Sequence, residues 1–393
     1  MISVTEAKKI ISENVSSLEP VTLSLQESAG LILAENIYAT TDIPAFPQSS
    51  MDGYAFSFEG WKQHKKLKIS GEVAAGSNEN FTLAPENAVR IFTGAAVPDG
   101  ADTVIMQEKT KTKNGELIIE DEALQLGTSV RPKGSEIKAG ALAMEKEDVL
   151  SPAAIGFLAG IGITEVKVYA NPSISIIITG NELQQPGESL QHGQVYESNS
   201  FALKAVLKQL QFDNIQILYA TDKSEIITAT LKKGLQQSDV VLLTGGISVG
   251  DYDFVLQAAT ECGVTKLFHK IKQRPGKPLY FGKKQNKLVF GLPGNPSSVL
   301  TCFYQYVIPV LEKLSKRKIG LTTIKGPLAK AFQKNTGLTH FLKGFYNGKT
   351  VVPLDAQESY RLSSFAKANC LIQIDEDITS LKEGELVDVY LLP

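Results

Sequence analysis

The sequence is poor in the residues that form covalent cross-links and most metal sites. Its 393 residues include only three cysteines, no two of them spaced as CxxC: Cys262, Cys302 and Cys370. The four histidines are likewise isolated from one another: His64, His192, His269 and His340. This composition argues against a disulfide framework or a thiolate zinc site, and it is typical of a reducing compartment such as the cytoplasm.

The sequence also lacks a strong net charge and any apolar run long enough to span a membrane. Its formal net charge is −2, which provides no general attraction for nucleic acid. The first residues, MISVTEAKKIISENV, are typical of an amphipathic helix and lack the continuous apolar stretch of a signal peptide. With 43% hydrophobic and 21% charged residues, the composition predicts a soluble globular protein of two to four domains.

The first part of the chain alternates between helical and strand-like patterns. Apolar residues at helical spacing predict a helix over 4–16 and another over 148–162, and we expect the second to return to the first. Short glycine-punctuated runs between them favour a small β-sheet. The sequence therefore predicts a discontinuous helical part, residues 1–50 and 138–170, interrupted by a β-rich domain at residues 51–137.

The second part of the chain has a different pattern of apolar residues. From residue 171 to 319, continuous apolar runs alternate with helical patterns, which favours a doubly wound, largely parallel α/β domain with both sheet faces covered. Residues 320–393 are again strand-like and suit a small β-barrel or sandwich. The predicted fold class is therefore a multidomain α/β protein with a C-terminal β-barrel-like domain.

Two stretches of the α/β domain have the form strand, tight turn, helix. The run DVVLLT ends at Gly245-Gly246 and continues as ISVGDYDF with Ser248, and the run KLVFGLP continues into Pro293-Gly294-Asn295-Pro296. Glycine lets backbone approach a ligand closely, and a helix start attracts phosphate or another oxyanion. Between them lies a stiff cationic turn with Arg274 and Lys277. The set predicts a site for an anionic, phosphate-bearing ligand.

Acidic residues follow three of the predicted parallel strands. Ligands of open α/β sheets bind beyond the carboxyl ends of the strands, where we expect Glu182, Asp222, Asp251 and Asp253 to gather. Carboxylates beside a phosphate site are compatible when Mg²⁺ lies between them. Each acid alone is better explained as a helix cap. The set beside two glycine turns instead favours a magnesium–phosphate site of Glu182, Asp222 and Asp253.

Six segments, in this order, resemble the molybdopterin molybdenumtransferase family, whose eukaryotic relative is the gephyrin E-domain. They are PAFPQSSMDGYA (44–55), IFTGAAVPDGADTVIMQE (91–108), ITGNEL (178–183), LLTGGISVGDYDF (242–254), RPGKP (274–278) and GLPGNPSS (291–298). The resemblance extends from the first helix to LSSFAKANCLI (362–372). Each segment alone is a weak signal, whereas six in order are a strong one.

The resemblance implies an enzyme that takes adenylylated molybdopterin and molybdate, loses AMP with the help of Mg²⁺, and leaves molybdenum on the dithiolene sulfurs. It also implies a homodimer whose active-site cleft lies between the α/β domain of one chain and the β-rich N-terminal part of the other. A molybdopterin adenylyltransferase is the implied partner that supplies the substrate. No protein nucleophile is needed.

The resemblance assigns roles to residues that match the family's segments. It implies catalytic roles for Asp52, Glu182, Asp222, Asp253 and Lys277, the three middle acids being the metal ligands. It implies that further residues contact substrate: Thr93, Gly245, Gly246, Ser248, Arg274, Pro293, Gly294, Asn295, Pro296, Ser363 and Ser364. Asp52 and Thr93 would reach the cleft from the partner chain.

The chain departs from the family pattern at two positions. Glu136 stands where the family often has aspartate, and Leu338 stands where it often has arginine, so that an anion contact there would fall to Lys343 or be absent. Two alternative functions remain open at this point. A molybdopterin adenylyltransferase shares the glycine turns but is typically a single α/β domain, and a non-catalytic scaffold on the same fold is favoured by a broken acid set, which this chain does not have.

Overall fold

The computed structural model of the chain describes residues 1–77, 82–246 and 254–393. The chain divides into two compact units, one formed by residues 1–21 and 169–393 and the other by residues 22–168. Across these described ranges, no helix has both the length and the apolar character needed to cross a membrane.

The first unit is built on a six-stranded central sheet. The strands lie in the order Ile215–Ala220, Ile174–Thr179, Val240–Thr244, Lys287–Leu292, Tyr280–Lys284 and Thr265–His269. The first four run parallel, and the last two add antiparallel strands at one edge. The parallel strands therefore bring their carboxyl ends to one edge of the sheet, where ligands bind in folds of this class.

Both faces of the central sheet are covered, which explains why its strands are continuous apolar runs. In the strand Ile174–Thr179, Ile174, Ile176 and Ile178 enter one core while Ile177 enters the other, because successive side chains point to opposite faces. Helices cover the two faces: Val4–Asn14, Asn199–Gln209, Pro296–Cys302 and Ile308–Ser315 on one, Ser224–Gln237 and Phe254–Glu261 on the other. The predicted doubly wound α/β domain is confirmed.

The first helix, Val4–Asn14, belongs to this unit. Ser3 caps it, with its hydroxyl accepting a hydrogen bond from the Glu6 amide at 3.1 Å. Val4, Ala7 and Ile11 are buried in the core of the central sheet, each burial of a branched side chain contributing roughly 2 kcal/mol. Our prediction that this helix joins residues 138–170 in one helical part is therefore wrong, because its apolar face is already covered by the α/β core.

The C-terminal residues of the first unit are β-rich, as predicted. One six-stranded sheet has the order Gln273–Arg274, Thr339–Tyr346, Cys370–Ile374, Leu386–Leu391 and Thr323–Pro327, with Val351–Pro353 paired to Thr339–Tyr346. Phe332–Gln333 pairs with Ser380–Leu381, and a short helix spans Leu362–Phe365. The two-residue strand Gln273–Arg274 ends at the first residue of the RPGKP segment, so that this sheet and the α/β domain share one stretch of chain.

The second unit, residues 22–168, contains a separate six-stranded sheet in the β-rich region. Its order is Thr103–Met106, Gly53–Phe56, Asn87–Ile91, Lys66–Val73, Glu116–Ile119 and Thr110–Lys113, beside the helix Phe58–His64. A three-stranded sheet combines Val21–Ser24, Glu165–Tyr169 and Ile32–Leu33, and two-stranded pairs join Gln48–Ser49 to Val130–Arg131 and Ile37–Tyr38 to Leu142–Met144. The helix Pro152–Gly160 packs on the second core of this unit.

Candidate functional site

The two glycine turns meet at the carboxyl edge of the central sheet. Their strands, Val240–Thr244 and Lys287–Leu292, are direct parallel neighbours. Gly245 has φ +83°, and a Cβ there would lie 2.5 Å from the Thr179 carbonyl oxygen. A Cβ on Gly294 would lie 3.8 Å from the Cα of Gly245, so the turns face each other across a narrow gap. Glycine is required at position 245 because neither the backbone angle nor the space admits a side chain.

The helix after the second turn begins at Pro296, as predicted, with Asn295 in the cap position. The capping bond is not formed: the Asn295 amide instead donates to the Ser359 hydroxyl at 2.8 Å. The Ser359 carbonyl accepts the hydrogen bond of the Ser297 amide at 3.1 Å. One of the first-turn N–H groups that we expected to face an anion is thus occupied by the C-terminal β-rich part.

The acidic residues at the sheet edge are partly assembled. The Asn181 amide donates to the Asp222 carboxylate at 3.1 Å, and the Asp222 amide donates back to the Asn181 side chain at 3.1 Å. This reciprocal pair joins the ends of two neighbouring strands, and Glu182 directly follows Asn181 in the sequence. Gly180, with φ +142°, leaves room for the Glu182 carboxylate, which a Cβ at that position would meet at 2.9 Å.

Three residues of the predicted acid and glycine set cannot be placed. Ser248, Asp251 and Asp253 lie outside the described residues. Gly246 is described, with φ +63°. Within residues 1–77, 82–246 and 254–393, no group of three histidine, cysteine, aspartate or glutamate side chains is arranged to hold a metal ion. The predicted ligand set of Glu182, Asp222 and Asp253 therefore stays a prediction.

A cavity of about 870 Å³ opens where the glycine turns, the cationic turn and the C-terminal loop converge. The predicted residues on its wall are Glu182, Gly245, Arg274, Lys277, Pro293, Gly294, Asn295 and Pro296. Arg274 and Lys277 are exposed there, and in the part of the chain that the structure describes, neither side chain has an ion-pair partner. The structure thus brings eight predicted residues, scattered over more than a hundred positions, around one cavity.

The C-terminal wall of the cavity is a loop, residues 356–361, whose backbone is fixed by a buried lysine. Lys343 is 2% exposed, and its ammonium donates to the carbonyls of Ala356 at 2.8 Å, Arg361 at 3.1 Å and Glu358 at 3.3 Å. Burial lowers the pKa of Lys343 below its ordinary value. Because its three donors are occupied, Lys343 does not replace the family's arginine as an anion contact. Leu338, at that arginine's position, lies on the cavity wall.

Neither serine of the predicted pair lines the cavity. The Ser364 hydroxyl is buried and donates to the Ala356 carbonyl at 2.8 Å, so it supports the loop from beneath. Ser363 is in the same short helix, Leu362–Phe365. The serine of this segment that does line the cavity is Ser359, which our sequence reasoning missed.

Other wall residues were also missed because no motif marks them. The Asn199 amide donates to the Gly294 carbonyl at 2.9 Å and thereby fixes the second glycine turn. Glu197 is 2% exposed, and its carboxylate accepts from the Ser200 amide at 2.8 Å, so that it caps the helix Asn199–Gln209. Gln273 is buried behind the cationic turn. Of the acidic residues on the cavity wall, Glu197 therefore has a structural role, and Glu358 forms an ion pair with Arg361 at 3.2 Å.

In the second unit, two predicted residues meet each other. One carboxylate oxygen of Asp52 accepts hydrogen bonds from the Thr93 amide at 2.7 Å and the Thr93 hydroxyl at 2.8 Å. These bonds lower the pKa of Asp52, and the charge of Arg90 acts in the same direction. Gly53 permits the turn, because a Cβ there would lie 1.8 Å from the Ile105 carbonyl oxygen. Asp52 and Thr93 form an exposed, preorganised acidic turn.

Comparisons with known proteins agree along the whole chain. Three family profiles match in order: the MoeA N-terminal region (domains I and II) over residues 2–162, a probable molybdopterin binding domain over 175–313, and the MoeA C-terminal region (domain IV) over 325–392. The chain is 34% identical over 377 residues to a molybdopterin molybdenumtransferase from Haemophilus influenzae, covering 93% of this chain and 92% of that protein.

A second curated relative and a solved structure give the same result. A molybdopterin molybdenumtransferase from Staphylococcus epidermidis is 34% identical over 400 residues, covering 99% of this chain and 95% of its own length. The crystal structure of a molybdopterin biosynthesis MoeA protein from Pyrococcus horikoshii superposes with a TM-score of 0.82 at 32% identity, covering 100% of this chain and 99% of that one. The similarity is thus full-length in both sequence and fold.

Proposed function

This chain belongs to the molybdopterin molybdenumtransferase family of molybdenum cofactor biosynthesis, and on that premise we propose that it inserts molybdenum from molybdate into adenylylated molybdopterin with release of AMP. The adenylylated substrate would come from a molybdopterin adenylyltransferase. We propose a cytoplasmic location, which the three free, buried cysteines support.

The observation that carries the proposal is the charge on the cavity wall. Glu182, Arg274 and Lys277 lie on that wall, and no ion pair or side-chain hydrogen bond occupies their charged groups within the described ranges. Both substrates are anions, and cationic side chains on a partly enclosed surface bind oxyanions more strongly than they would in open water. A cavity of about 870 Å³ suits a nucleotide-sized ligand.

The donor chemistry at the sheet edge fits Mg²⁺. Glu182 and Asp222 would supply the carboxylate oxygens that Mg²⁺ prefers, and the Asn181–Asp222 pair joins the ends of the two strands that these acids follow. Together with Asp253 they would hold the ion beside the phosphates. When bound, Mg²⁺ would neutralise phosphate charge as AMP departs.

The protein's own residues would bind and orient the reactants. Lys277 and Arg274 would hold the oxyanions, while the glycine turns admit the substrate close to the backbone of Gly245 and Gly294. No protein nucleophile takes part, because the dithiolene sulfurs and the molybdate oxygens supply the bonds that form.

The experiment measures AMP released from adenylyl-molybdopterin by the purified protein, with molybdate and Mg²⁺ each added or withheld. The proposal expects release that needs Mg²⁺ and rises with molybdate. Release independent of both would contradict it. Formation of adenylyl-molybdopterin from ATP and molybdopterin would instead identify an adenylyltransferase, and no turnover with any of these substrates would favour a scaffold.

We also propose a homodimer in which Asp52 and Thr93 of one chain complete the cavity of the other. The preorganised carboxylate of Asp52, exposed in its own unit, supports a role toward an external ligand. Two inactive variants, Asp52→Ala and Glu182→Ala, should regain part of the activity when their subunits are mixed, because each mixed dimer holds one intact site. No recovery despite demonstrated subunit exchange would contradict the shared cleft.

A further inference from the structure

The cationic turn of the cavity rests on a buried glutamine. Gln273 is 1% exposed, and its side-chain amide donates to the carbonyls of Pro275 at 3.0 Å and Gly276 at 3.2 Å. These two carbonyls belong to the residues between Arg274 and Lys277, the two cations of the cavity wall. The amide therefore fixes the backbone from which both cations project.

A buried tyrosine in turn fixes the glutamine. The Tyr306 hydroxyl donates to the side-chain oxygen of Gln273, and Tyr306 is fully buried. Burial raises the pKa of Tyr306 well above its ordinary value, so the phenol stays a hydrogen-bond donor at all ordinary pH values. Tyr306 lies in the π-helical turn Phe303–Val307, and such turns are frequent at functional sites because they redirect single side chains.

The turn has no room to shift toward this support. Gly276 has φ +88°, and a Cβ there would lie 2.5 Å from the Cys302 sulfur and 2.8 Å from the Gln273 amide nitrogen. Cys302 and Gln273 are both buried. The turn therefore packs against buried side chains. Its polar contacts with them are those of the Gln273 amide with Pro275 and Gly276, and a longer contact of the Cys302 thiol with the Gly276 carbonyl at 3.8 Å.

We propose that Gln273 and Tyr306 are positioning residues that hold the turn so that Arg274 and Lys277 bind the anionic substrate. The inference deepens the proposed function and rests on it for the identity of the anion. A side chain with both a donor and an acceptor is needed at position 273, because its nitrogen serves two carbonyls while its oxygen receives the phenol. Neither residue touches the reacting atoms, and each acts through the turn.

The first test follows the turn itself and needs no ligand. The amides of Ile271 and Leu279 both donate to the Lys277 carbonyl, at 2.9 and 3.1 Å, so their hydrogen exchange reports how firmly the turn is held. In Tyr306→Phe we expect the exchange of these two amides to accelerate by about tenfold, because the buried side-chain oxygen of Gln273 loses the phenol that donates to it. The matched control is Tyr280→Phe, which removes another buried phenol, from the central sheet. Unchanged exchange in Tyr306→Phe, or equal acceleration in the control, would overturn the proposal.

The second test measures binding of molybdate alone by equilibrium dialysis. We expect Tyr306→Phe to weaken binding by about tenfold. In the double variant with Lys277→Ala, we expect the combined loss to be smaller than the two single losses multiplied together, because interacting residues give non-additive effects. In turnover, the KM for molybdate should rise while kcat is nearly retained. Additive losses would mean that Tyr306 does not act through the turn.

Two provisions keep the tests decisive. If Tyr306→Phe does not fold, Gln273→Met removes the same amide contacts from the other side of the pair and is held to the same expectations. If the wild-type protein binds no molybdate, the proposed function fails, and the exchange measurement alone then supports or rejects the positioning roles.

Discussion

The acidic turn of the second unit and the cavity of the first unit use charged side chains in opposite ways. Asp52 is exposed, yet two hydrogen bonds from Thr93 fix one of its carboxylate oxygens. Glu182 lies on a cavity wall, yet within the described residues no side chain or amide binds its carboxylate. We call a charged group held when neighbouring groups of the fold bind it, and unheld when none does. A held carboxylate is oriented before any ligand arrives, whereas an unheld carboxylate remains available to coordinate or repel an incoming ligand.

The two lysines of the cavity region repeat this contrast. Lys277 is exposed on the wall without an ion-pair partner in the described ranges, while the ammonium of Lys343 is fully used by three loop carbonyls. Charge alone therefore does not identify a ligand contact. What distinguishes the two classes is whether neighbouring groups of the fold already satisfy the side chain, and each class should respond differently to substitution.

The largest expected effect is a loss of AMP release when Glu182, an unheld carboxylate, is neutralised. Glu182→Gln should lower AMP release by about 100-fold, because it removes a charge next to the phosphates without changing the shape of the side chain. Initial rates at saturating substrate measure it, and thermal unfolding should be unchanged. The control is Glu188→Gln, which neutralises an exposed acid that does not line the cavity. Equal losses in the two variants would show that Glu182 has no special role.

Lys343, a held cation, should behave as a structural residue. Lys343→Met removes the ammonium that bonds three loop carbonyls, and these carbonyls keep neutral donors, the Ser364 hydroxyl for Ala356 and Arg361 and the Arg361 amide for Glu358. Because the charged donor is lost, we expect the free energy of unfolding to fall by about 2 kcal/mol. Denaturant unfolding measures this change, with the exposed Lys349→Met as control. Stability equal to that of the control would mean that the loop does not depend on the ammonium.

Lys277, an unheld cation, should behave in the reverse way. We expect Lys277→Ala to weaken molybdate binding by about tenfold and to leave stability unchanged, because a charge-assisted contact with the ligand is lost while no contact within the fold is. Lys266→Ala, at an exposed strand position outside the cavity, is the matched control. A loss of stability without a loss of binding would place Lys277 in the same class as Lys343.

The sequence predicted correctly those features that depend on neighbouring residues alone, such as buried strands, glycine turns and helix starts. The continuous apolar run from Ile174 to Thr179 predicts a strand with two covered faces, and the structure assigns its alternate residues to two cores. Turn chemistry likewise located Gly245 and Pro296, because backbone angle and helix start depend on residue type. Such features need no knowledge of distant parts of the chain.

What the sequence did not reveal depends on partners without a sequence signature. The carbonyls that hold Lys343 are backbone groups, which any residue type could supply. Gln273 and Tyr306 meet across 33 positions, and neither belongs to a motif that marks the contact. The first helix was assigned to the wrong part for the same reason: an amphipathic face predicts burial but not the surface that buries it.

The smallest expected effect concerns the bonds that hold Asp52. Thr93→Val removes the hydroxyl donor but keeps the amide, so the pKa of Asp52 should rise toward its ordinary value without reaching it. Carboxyl NMR titration measures this shift, and Thr93→Ser, which keeps a hydroxyl, should restore most of the lowering.

The sign of the pH dependence follows from the direction of that shift. A carboxyl whose pKa is lowered by folding stabilises the folded state above its ordinary pKa, and this contribution is lost as pH falls through the lowered value. The difference in unfolding midpoint between wild type and Thr93→Val should therefore be largest near neutral pH and disappear in acid. A difference that persists in acid would mean that Thr93 stabilises the turn by packing, and the contrast with Glu182 would then not rest on the held carboxylate.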